Sequence, residues 1–281
     1  MKSRLEMLHE LSCGLRKIGL EEREAVAEAR YALTFLLEVP LSELYLQGNE
    51  LLSVEHEQKL QKILQRREKG EPLAYILGER YFMGLPFRVG PGVLIPRQET
   101  ELLCEQAIEK IKQEHLERVL DICTGSGCIA VSIAKFSKAC VYAADISMSA
   151  VETARENAHR QKVALQVVQS DLFLNVQGKY DMITANPPYI DDAAYAGLEY
   201  SVRQYEPALA LRGGTDGLMF YRRIAMQAPA YLRSGGYLVQ EIGYDQGEAV
   251  RTLLSEQGFA EIEIRQDYAG LDRIVWARWL R

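Results

Sequence analysis

The sequence lacks the features of an exported or membrane-spanning protein. No apolar run approaches the roughly 20 residues needed to cross a bilayer, and the first six residues, MKSRLE, mix charges where a secretory signal has an apolar core. The five cysteines are scattered and contain no Cys-x-x-Cys pair, which argues against a disulfide framework and a zinc site. We therefore expect a reduced, cytoplasmic protein with no metal and no membrane partner.

An excess of positive charge is also missing. The net charge is −6, and basic residues such as Arg66, Arg67 and Lys69 are interleaved with acids. A protein that grips nucleic acid over a broad surface needs clustered positive charge to neutralise phosphates. The composition therefore argues against a direct nucleic-acid substrate. A length of 281 residues accommodates one large domain and a small one.

Residues 1–75 carry leucine and alanine at helical spacing, which predicts a small helical bundle. Gly19 is expected to end the first helix, and Ser42 and Ser53 are expected to cap two later ones. Aromatic and β-branched residues around Gly84 then predict a β-hairpin.

Strand-like and helix-like segments alternate after Pro96, which predicts an α/β fold with a mostly parallel sheet covered by helices on both faces. Predicted strands near 236–242, 260–266 and 273–279 follow a helix expected over 217–231. The last two strands are close in sequence, so we expect an antiparallel hairpin at the sheet edge.

A glycine-rich turn follows the first strand of this region and opens a helix. Glycine lets the backbone turn sharply near a ligand, and the helix N-terminus offers free N–H groups. The turn lacks the spacing of NAD-binding and P-loop motifs. Asp145 ends the next strand, where an acid can accept hydrogen bonds from ribose hydroxyls. This ordered set predicts a cofactor site, whose turn residues are Cys123, Thr124, Gly125, Ser126 and Gly127.

Asp171 and Leu172 come after a third strand, at the position where folds of this type contact the adenine of a cofactor. An aspartate there can equally cap a helix. Both interpretations stay open at this point.

An Asn-Pro-Pro-Tyr segment, Asn186, Pro187, Pro188 and Tyr189, follows another strand. Two prolines fix the backbone and remove two N–H donors, so main-chain carbonyls and the Asn186 side-chain oxygen can act as acceptors. An –NH₂ group held between such acceptors would aim its nitrogen outward, and Tyr189 could stack on a flat group. Fixed acceptors would stabilise positive charge developing on that nitrogen during methyl transfer. The segment therefore predicts methylation of a planar –NH₂ nitrogen.

Further motifs complete a pattern that covers nearly the whole chain. They are EPLAYILG at 71–78, VLIPRQETE at 93–101, YEP at 205–207, GGxDG at 213–217 and EIG at 241–243. With the turn and the Asn-Pro-Pro-Tyr segment, they resemble the N5-glutamine methyltransferases of peptide chain release factors, the HemK/PrmC family.

This resemblance implies a seven-stranded, Rossmann-like class I methyltransferase domain over residues 96–281. It also implies a substrate-docking helical bundle over 1–75, joined to that domain by a β-hairpin linker over 76–95. S-adenosyl-L-methionine would be the methyl donor, S-adenosyl-L-homocysteine the product, and the glutamine amide nitrogen of the release factor Gly-Gly-Gln loop the acceptor. We expect a monomer.

The resemblance also implies site residues. The substrate amide would be held by Asn186, Pro187, Pro188 and Tyr189. The donor would be held by residues 123–127, Asp145, Asp171, Leu172 and Asn186. Two positions depart from the usual pattern: Cys123 stands where the family often has glycine, and Leu172 where tryptophan can occur beside the adenine.

Several alternatives remain from the sequence. A glutamine methyltransferase of a ribosomal protein would share the chemistry and differ in docking. An adenine-N6 nucleic-acid methyltransferase would need a basic recognition region and would have to flip its base. A non-enzymatic donor-binding scaffold would not need the Asn-Pro-Pro-Tyr segment. Arg97 and Glu99 can either start a helix or help to close the site, and the long loop over 190–216 is expected to shape substrate entry.

Overall fold

The computed structural model describes residues 1–281, which divide into two compact units. The smaller unit is Met1–Gly78 with Tyr200–Tyr205, and the larger is Glu79–Glu199 with Glu206–Arg281. The helices are α1 (Arg4–Lys17), α2 (Glu22–Leu37), α3 (Leu41–Leu46), α4 (Val54–Glu68), α5 (Leu73–Leu77), α6 (Glu99–Glu114), α7 (Cys128–Phe136), α8 (Met148–Gln161), α9 (Asp192–Ala196), α10 (Tyr200–Tyr205), α11 (Met219–Gln227) and α12 (Gly247–Glu256). The strands are β1 (Glu79–Phe82), β2 (Leu85–Arg88), β3 (Arg118–Ile122), β4 (Cys140–Asp145), β5 (Leu165–Gln169), β6 (Tyr180–Ala185), β7 (Ile190–Asp191), β8 (Arg212–Gly214), β9 (Leu232–Glu241), β10 (Ala260–Gln266) and β11 (Asp272–Trp279).

The smaller unit is helical because apolar residues recur on one face of each longer helix and bury one another. Ser53 caps α4 by accepting a hydrogen bond from the His56 N–H at 3.1 Å, and Gly19, with φ of 101°, follows the end of α1. The prediction for Ser42 was wrong. Helix α3 starts two residues earlier, with Pro40 at the N-cap position, because the Pro40 carbonyl already accepts from the Glu43 N–H at 3.0 Å.

The larger unit contains a seven-stranded sheet in the order β10-β11-β9-β6-β3-β4-β5. The pairs β5–β4, β4–β3, β3–β6 and β6–β9 are parallel, whereas β11 is antiparallel to both β9 and β10. This confirms the predicted α/β fold and the terminal hairpin. The edge strand, however, is β10, since β11 inserts between β10 and β9. The sheet is buried by helices on both faces in two apolar clusters.

Two predicted bounds in this unit were wrong. The helix expected over 217–231 ends at Gln227 and continues as a 3₁₀ turn, because Pro229 has no N–H to donate to the preceding turn. Strand β9 begins at Leu232, before the predicted residue 236, and Leu232 pairs with Tyr180.

The predicted hairpin is present, with β1 and β2 paired antiparallel. It belongs to the larger unit in the structure. The three-part division of the chain at residues 75 and 95 stays a prediction.

Strand register brings three strand ends to one edge of the sheet. Ile122 pairs with Ala185, and Ala185 pairs with Gln240. The residues that follow, Cys123, Asn186 and Glu241, therefore lie side by side at this edge, where Glu241 is the last residue of β9 and still pairs with Ile274 of β11. This edge is the carboxyl end of the parallel strands, where open α/β sheets bind ligands.

Candidate active site

One open cavity lies at this edge and collects most of the predicted site residues. Asp145 and Asn186 both line it. The other predicted residues in its wall are Cys123, Thr124, Gly125, Ser126, Asp171, Leu172 and Pro188. Gly127, Pro187 and Tyr189 are not in the wall. The structure thus brings the predicted cofactor turn and the start of the Asn-Pro-Pro-Tyr segment into a single space.

Asp121 links the cofactor turn to the strand that precedes the Asn-Pro-Pro-Tyr segment. It is fully buried at the end of β3 and accepts hydrogen bonds from the hydroxyls of Thr124, at 2.6 Å, and Thr184, at 2.8 Å. Thr124 belongs to the turn, and Thr184 belongs to strand β6, which ends one residue before Asn186. Burial raises the pKa of Asp121 to about 7, although both hydroxyl bonds lower it.

Asp145 is held by main-chain donors. One carboxylate oxygen accepts from the Gly125 N–H at 2.8 Å, and the other accepts from the Ser147 N–H at 2.9 Å. A carboxylate has about four acceptor positions, so both oxygens keep capacity for a ligand in the cavity. Burial raises the pKa of Asp145, and these N–H bonds oppose that rise by stabilising the charged form.

The turn itself depends on left-handed backbone. Gly125 has φ of 56° and open space where a Cβ would stand, whereas a Cβ on Gly127 would lie 2.9 Å from the Ala154 Cβ. Gly127 therefore serves close packing of α7 on α8. Cys123 adopts φ of 57°, a conformation that costs an L-residue roughly 1–2 kcal/mol. A glycine at this position would avoid that cost.

Asp171 and Leu172 lie on another wall of the cavity. The Asp171 carboxylate accepts from Arg223 Nη2 at 2.8 Å, and the Arg223 guanidinium lies 5.9 Å from the centre of the Phe220 ring. Arg223 and Phe220, both from α11, also line the cavity. Sequence reasoning missed them because nothing in their helical spacing distinguishes a cavity-facing residue from an ordinary surface one.

The Asn-Pro-Pro-Tyr segment divides between the cavity and the core. Asn186 and Pro188 face the cavity, and Pro187 is buried outside its wall. Tyr189 packs against the apolar cluster on that face of the sheet, and burial raises the pKa of its hydroxyl to about 12. The predicted stacking of Tyr189 on a substrate stays a prediction.

Gln246 and two glycines hold the backbone of Tyr189 in place. Gln246 Nε2 donates to the Tyr189 carbonyl at 3.0 Å, while its Oε1 accepts from the Gly243 N–H at 3.0 Å. A Cβ on Gly213 would stand 2.8 Å from the Tyr189 Cα, and one on Gly217 would stand 2.4 Å from the Tyr189 oxygen. Close backbone approach therefore accounts for Gly213 and Gly217 of the GGxDG motif. Gln246 was not singled out from the sequence.

An ion pair between Arg97 and Glu206 joins two chain segments that line the cavity. Glu206, 5% exposed, accepts from the Ile95 N–H at 3.0 Å and from Arg97 Nη2 at 2.5 Å. Arg97 and Pro207 line the cavity. Glu99 is the first residue of α6, as the helix-start interpretation predicted. No group of three or more His, Cys, Asp or Glu side chains is placed to hold a metal ion, and no helix is both long and apolar enough to cross a bilayer.

A sheet of this order with a cofactor cavity at its carboxyl edge defines the class I methyltransferases. Residues 98–204 match the family model described as the methyltransferase small domain, and residues 6–78 match the PrmC N-terminal domain. The chain is 40% identical to the release factor glutamine methyltransferase of Geobacter sulfurreducens over 92% of this chain and 93% of that protein. The corresponding protein of Neisseria gonorrhoeae is also 40% identical, over 94% of this chain and 97% of its own length. The chain belongs to the release factor glutamine methyltransferase family.

Similarity in fold alone extends further. A methyltransferase from Pyrococcus furiosus superposes with a TM-score of 0.53 at 17% identity, covering 79% of this chain and 98% of that one. The family models and the two relatives confirm the family and the methyltransferase class predicted from the sequence. The roles of individual site residues stay predictions.

Proposed function

We propose that this protein transfers a methyl group from S-adenosyl-L-methionine to the side-chain amide nitrogen of the glutamine in the Gly-Gly-Gln loop of peptide chain release factors. The observation that carries the proposal is that Asp145 and Asn186 line one cavity. Methyl transfer requires the donor and the glutamine amide to meet in one space. Asp145 would bind the nucleoside part of the donor, and Asn186 would bind the amide. Family membership supports the same substrate and cofactor.

The residues present fit the methyl donor. Asp145 keeps acceptor capacity for ribose hydroxyls, and Gly125 leaves open space beside the backbone for close ligand approach. Leu172 and Phe220 provide apolar surface for the adenine, next to the polar Asp171 and Arg223. When bound there, the donor supplies an electrophilic methyl group on a sulfonium.

The chain itself would position and polarise the acceptor. An amide nitrogen is a poor nucleophile because its lone pair is delocalised, so it needs precise orientation. Asn186 Oδ1 and the Pro187 carbonyl would each accept one N–H of the glutamine amide. The two prolines fix the backbone of this segment, so the acceptors would stabilise the positive charge that develops on the nitrogen with little reorganisation. The methylated nitrogen would then release one proton through these hydrogen bonds to solvent, which restores a neutral amide.

We further propose that the enzyme acts as a monomer in the cytoplasm, on protein and not on nucleic acid. The net charge of −6 disfavours broad contact with phosphates, and all five cysteines are unpaired. Sedimentation of the purified protein would test the monomer. A dimer at micromolar concentration would contradict it.

The substrate is tested by incubating the enzyme and labelled S-adenosyl-L-methionine separately with a release factor, a ribosomal protein and DNA. We expect label only in the release factor, and none after Gln→Ala replacement in its Gly-Gly-Gln loop. Label that survives this replacement would overturn the substrate assignment. Label in the ribosomal protein or in DNA alone would favour the corresponding alternative.

A further inference from the structure

Glu241 is a buried carboxyl group beside the proposed acceptor site. It is only 2% exposed, and one of its oxygens, Oε2, is buried without a hydrogen-bond partner. An incompletely paired buried carboxylate costs stability. An apolar side chain at this position would avoid that cost, so the residue calls for an explanation beyond folding.

The sheet register places Glu241 next to Asn186. Ala185 pairs with Gln240 across parallel strands β6 and β9, so the following residues of each strand emerge together. Thr100 approaches from the first turn of α6 and lines the cavity. Asn186 Nδ2 donates to Thr100 Oγ1 at 3.4 Å, and both side chains lie close enough to the Glu241 carboxyl group to lower its pKa.

We propose that Glu241 is a positioning residue for the methyl acceptor: its carboxylate and the Thr100 hydroxyl bind the two N–H groups of Asn186, which turns Asn186 Oδ1 toward the substrate amide. This inference rests on the proposed function. The two ends of an asparagine amide have nearly the same shape, so their hydrogen-bond partners decide which way the group faces. An ionised carboxylate only accepts hydrogen bonds, and it therefore selects the Nδ2 end.

Protonation of Glu241 would remove that selection. A neutral carboxyl group can donate to Asn186 Oδ1 and so stabilise the flipped amide, which would turn N–H groups toward the N–H groups of the substrate. Burial raises the pKa of Glu241 to about 7, so the change falls near neutral pH. The charged or titratable groups whose electrostatic interactions involve Glu241 include Arg273, Glu99, Tyr189, Tyr221, Cys104 and Cys128.

The test compares Glu241→Gln with the wild type in single-turnover methylation of a release factor, from acidic to alkaline pH. A glutamine keeps the shape but can face Asn186 with either end, so we expect a loss of about 10- to 100-fold in rate with unchanged donor affinity by calorimetry. The wild-type rate should fall as pH drops through about 7. Asp121 titrates in the same range, so the diagnostic result is a flatter profile in the variant than in the wild type. Glu256→Gln, at an exposed site, is the matched control.

Thr100 gives a second route to the same answer if Glu241→Gln fails to fold. Thr100→Val removes the hydroxyl at nearly constant volume and should slow methylation, whereas Thr100→Ser should recover most of the rate. A wild-type rate and pH profile in Glu241→Gln, or a wild-type rate in Thr100→Val, would overturn this inference alone. A wild-type enzyme that leaves the release factor unmethylated would instead overturn the proposed function.

Discussion

Gln246 fixes the carbonyl group of Tyr189 through a hydrogen bond of 3.0 Å from its Nε2 atom. Because its Oε1 accepts from the Gly243 N–H at 3.0 Å, the side chain cannot turn without losing both bonds. The last residue of the Asn-Pro-Pro-Tyr segment is therefore anchored to the loop before α12. Rigidity of this kind lets the preceding carbonyls act as fixed acceptors.

Gln246→Met should loosen this anchor, since methionine has a similar length and no amide. We expect turnover to fall about tenfold, in line with small misplacements of reacting groups, while donor affinity stays constant because the cofactor turn is untouched. Steady-state kinetics and calorimetry measure the two quantities. Gln257→Met, at an exposed position, provides the control. Equal turnover in both variants would remove Gln246 from site positioning.

Gly217→Ala tests the close approach behind the same carbonyl. The new Cβ would stand 2.4 Å from the Tyr189 oxygen and 2.5 Å from Gln246 Nε2, at φ of 71°. Gly270→Ala is a matched control, because Gly270 has φ of 78° with no atom within 4 Å of its Cβ position. We expect Gly270→Ala to lower the free energy of unfolding by roughly 1 kcal/mol without changing turnover. Gly217→Ala should lose more stability and most of its turnover, and identical behaviour of the two variants would contradict the clash.

Asp145→Asn tests the cofactor side of the cavity. An asparagine can accept with one end only, so the bond from either the Gly125 or the Ser147 N–H is lost along with acceptor capacity toward the ribose. We expect donor affinity to fall by about tenfold or more, equivalent to at least roughly 1.4 kcal/mol, as measured by calorimetry. Asp245→Asn, at an exposed position outside the cavity wall, should bind the donor normally. Undiminished binding by Asp145→Asn would exclude Asp145 as a donor ligand.

Glu241 should also leave a signature in the pH dependence of stability. Its pKa rises from 4.5 to about 7 on folding, so the folded state binds the proton more tightly. The contribution of this group to the free energy of unfolding is fully present below its pKa in the unfolded state. It is lost as pH rises through its pKa in the folded state. Glutamine does not titrate, so Glu241→Gln should gain stability relative to wild type between pH 4.5 and about 7, by up to roughly 3 kcal/mol.

Urea unfolding of wild type and Glu241→Gln across this pH range gives the difference directly. Effects of the substitution that do not depend on pH shift this difference by a constant. They therefore do not alter the slope of the difference against pH. A difference that stays constant with pH would show that the Glu241 carboxyl titrates normally in the folded protein.

Local sequence patterns predicted many of the residues that line the cavity. They did not predict the contacts that hold those residues in place. Gly125 and Asp145 were found because glycines after a strand and an acid at the next strand end are short-range signals. The hydrogen bond from Gln246 to the Tyr189 carbonyl was not predicted. Gln246 lies far from Tyr189 in the sequence, and a glutamine carries no sequence pattern of its own. Register decides that Glu241 stands beside Asn186, and register cannot be read from single strands. The early start of β9 was missed for the same reason.

The most direct test of the account is the single-turnover methylation rate of Asn186→Ala with a release factor, measured together with donor affinity. Loss of the Asn186 acceptor should lower the rate by about 10²-fold or more, while donor affinity changes only modestly because Asp145 and the glycine turn remain. A near-normal rate in Asn186→Ala would contradict the proposal that this side chain holds the amide nitrogen for methyl transfer.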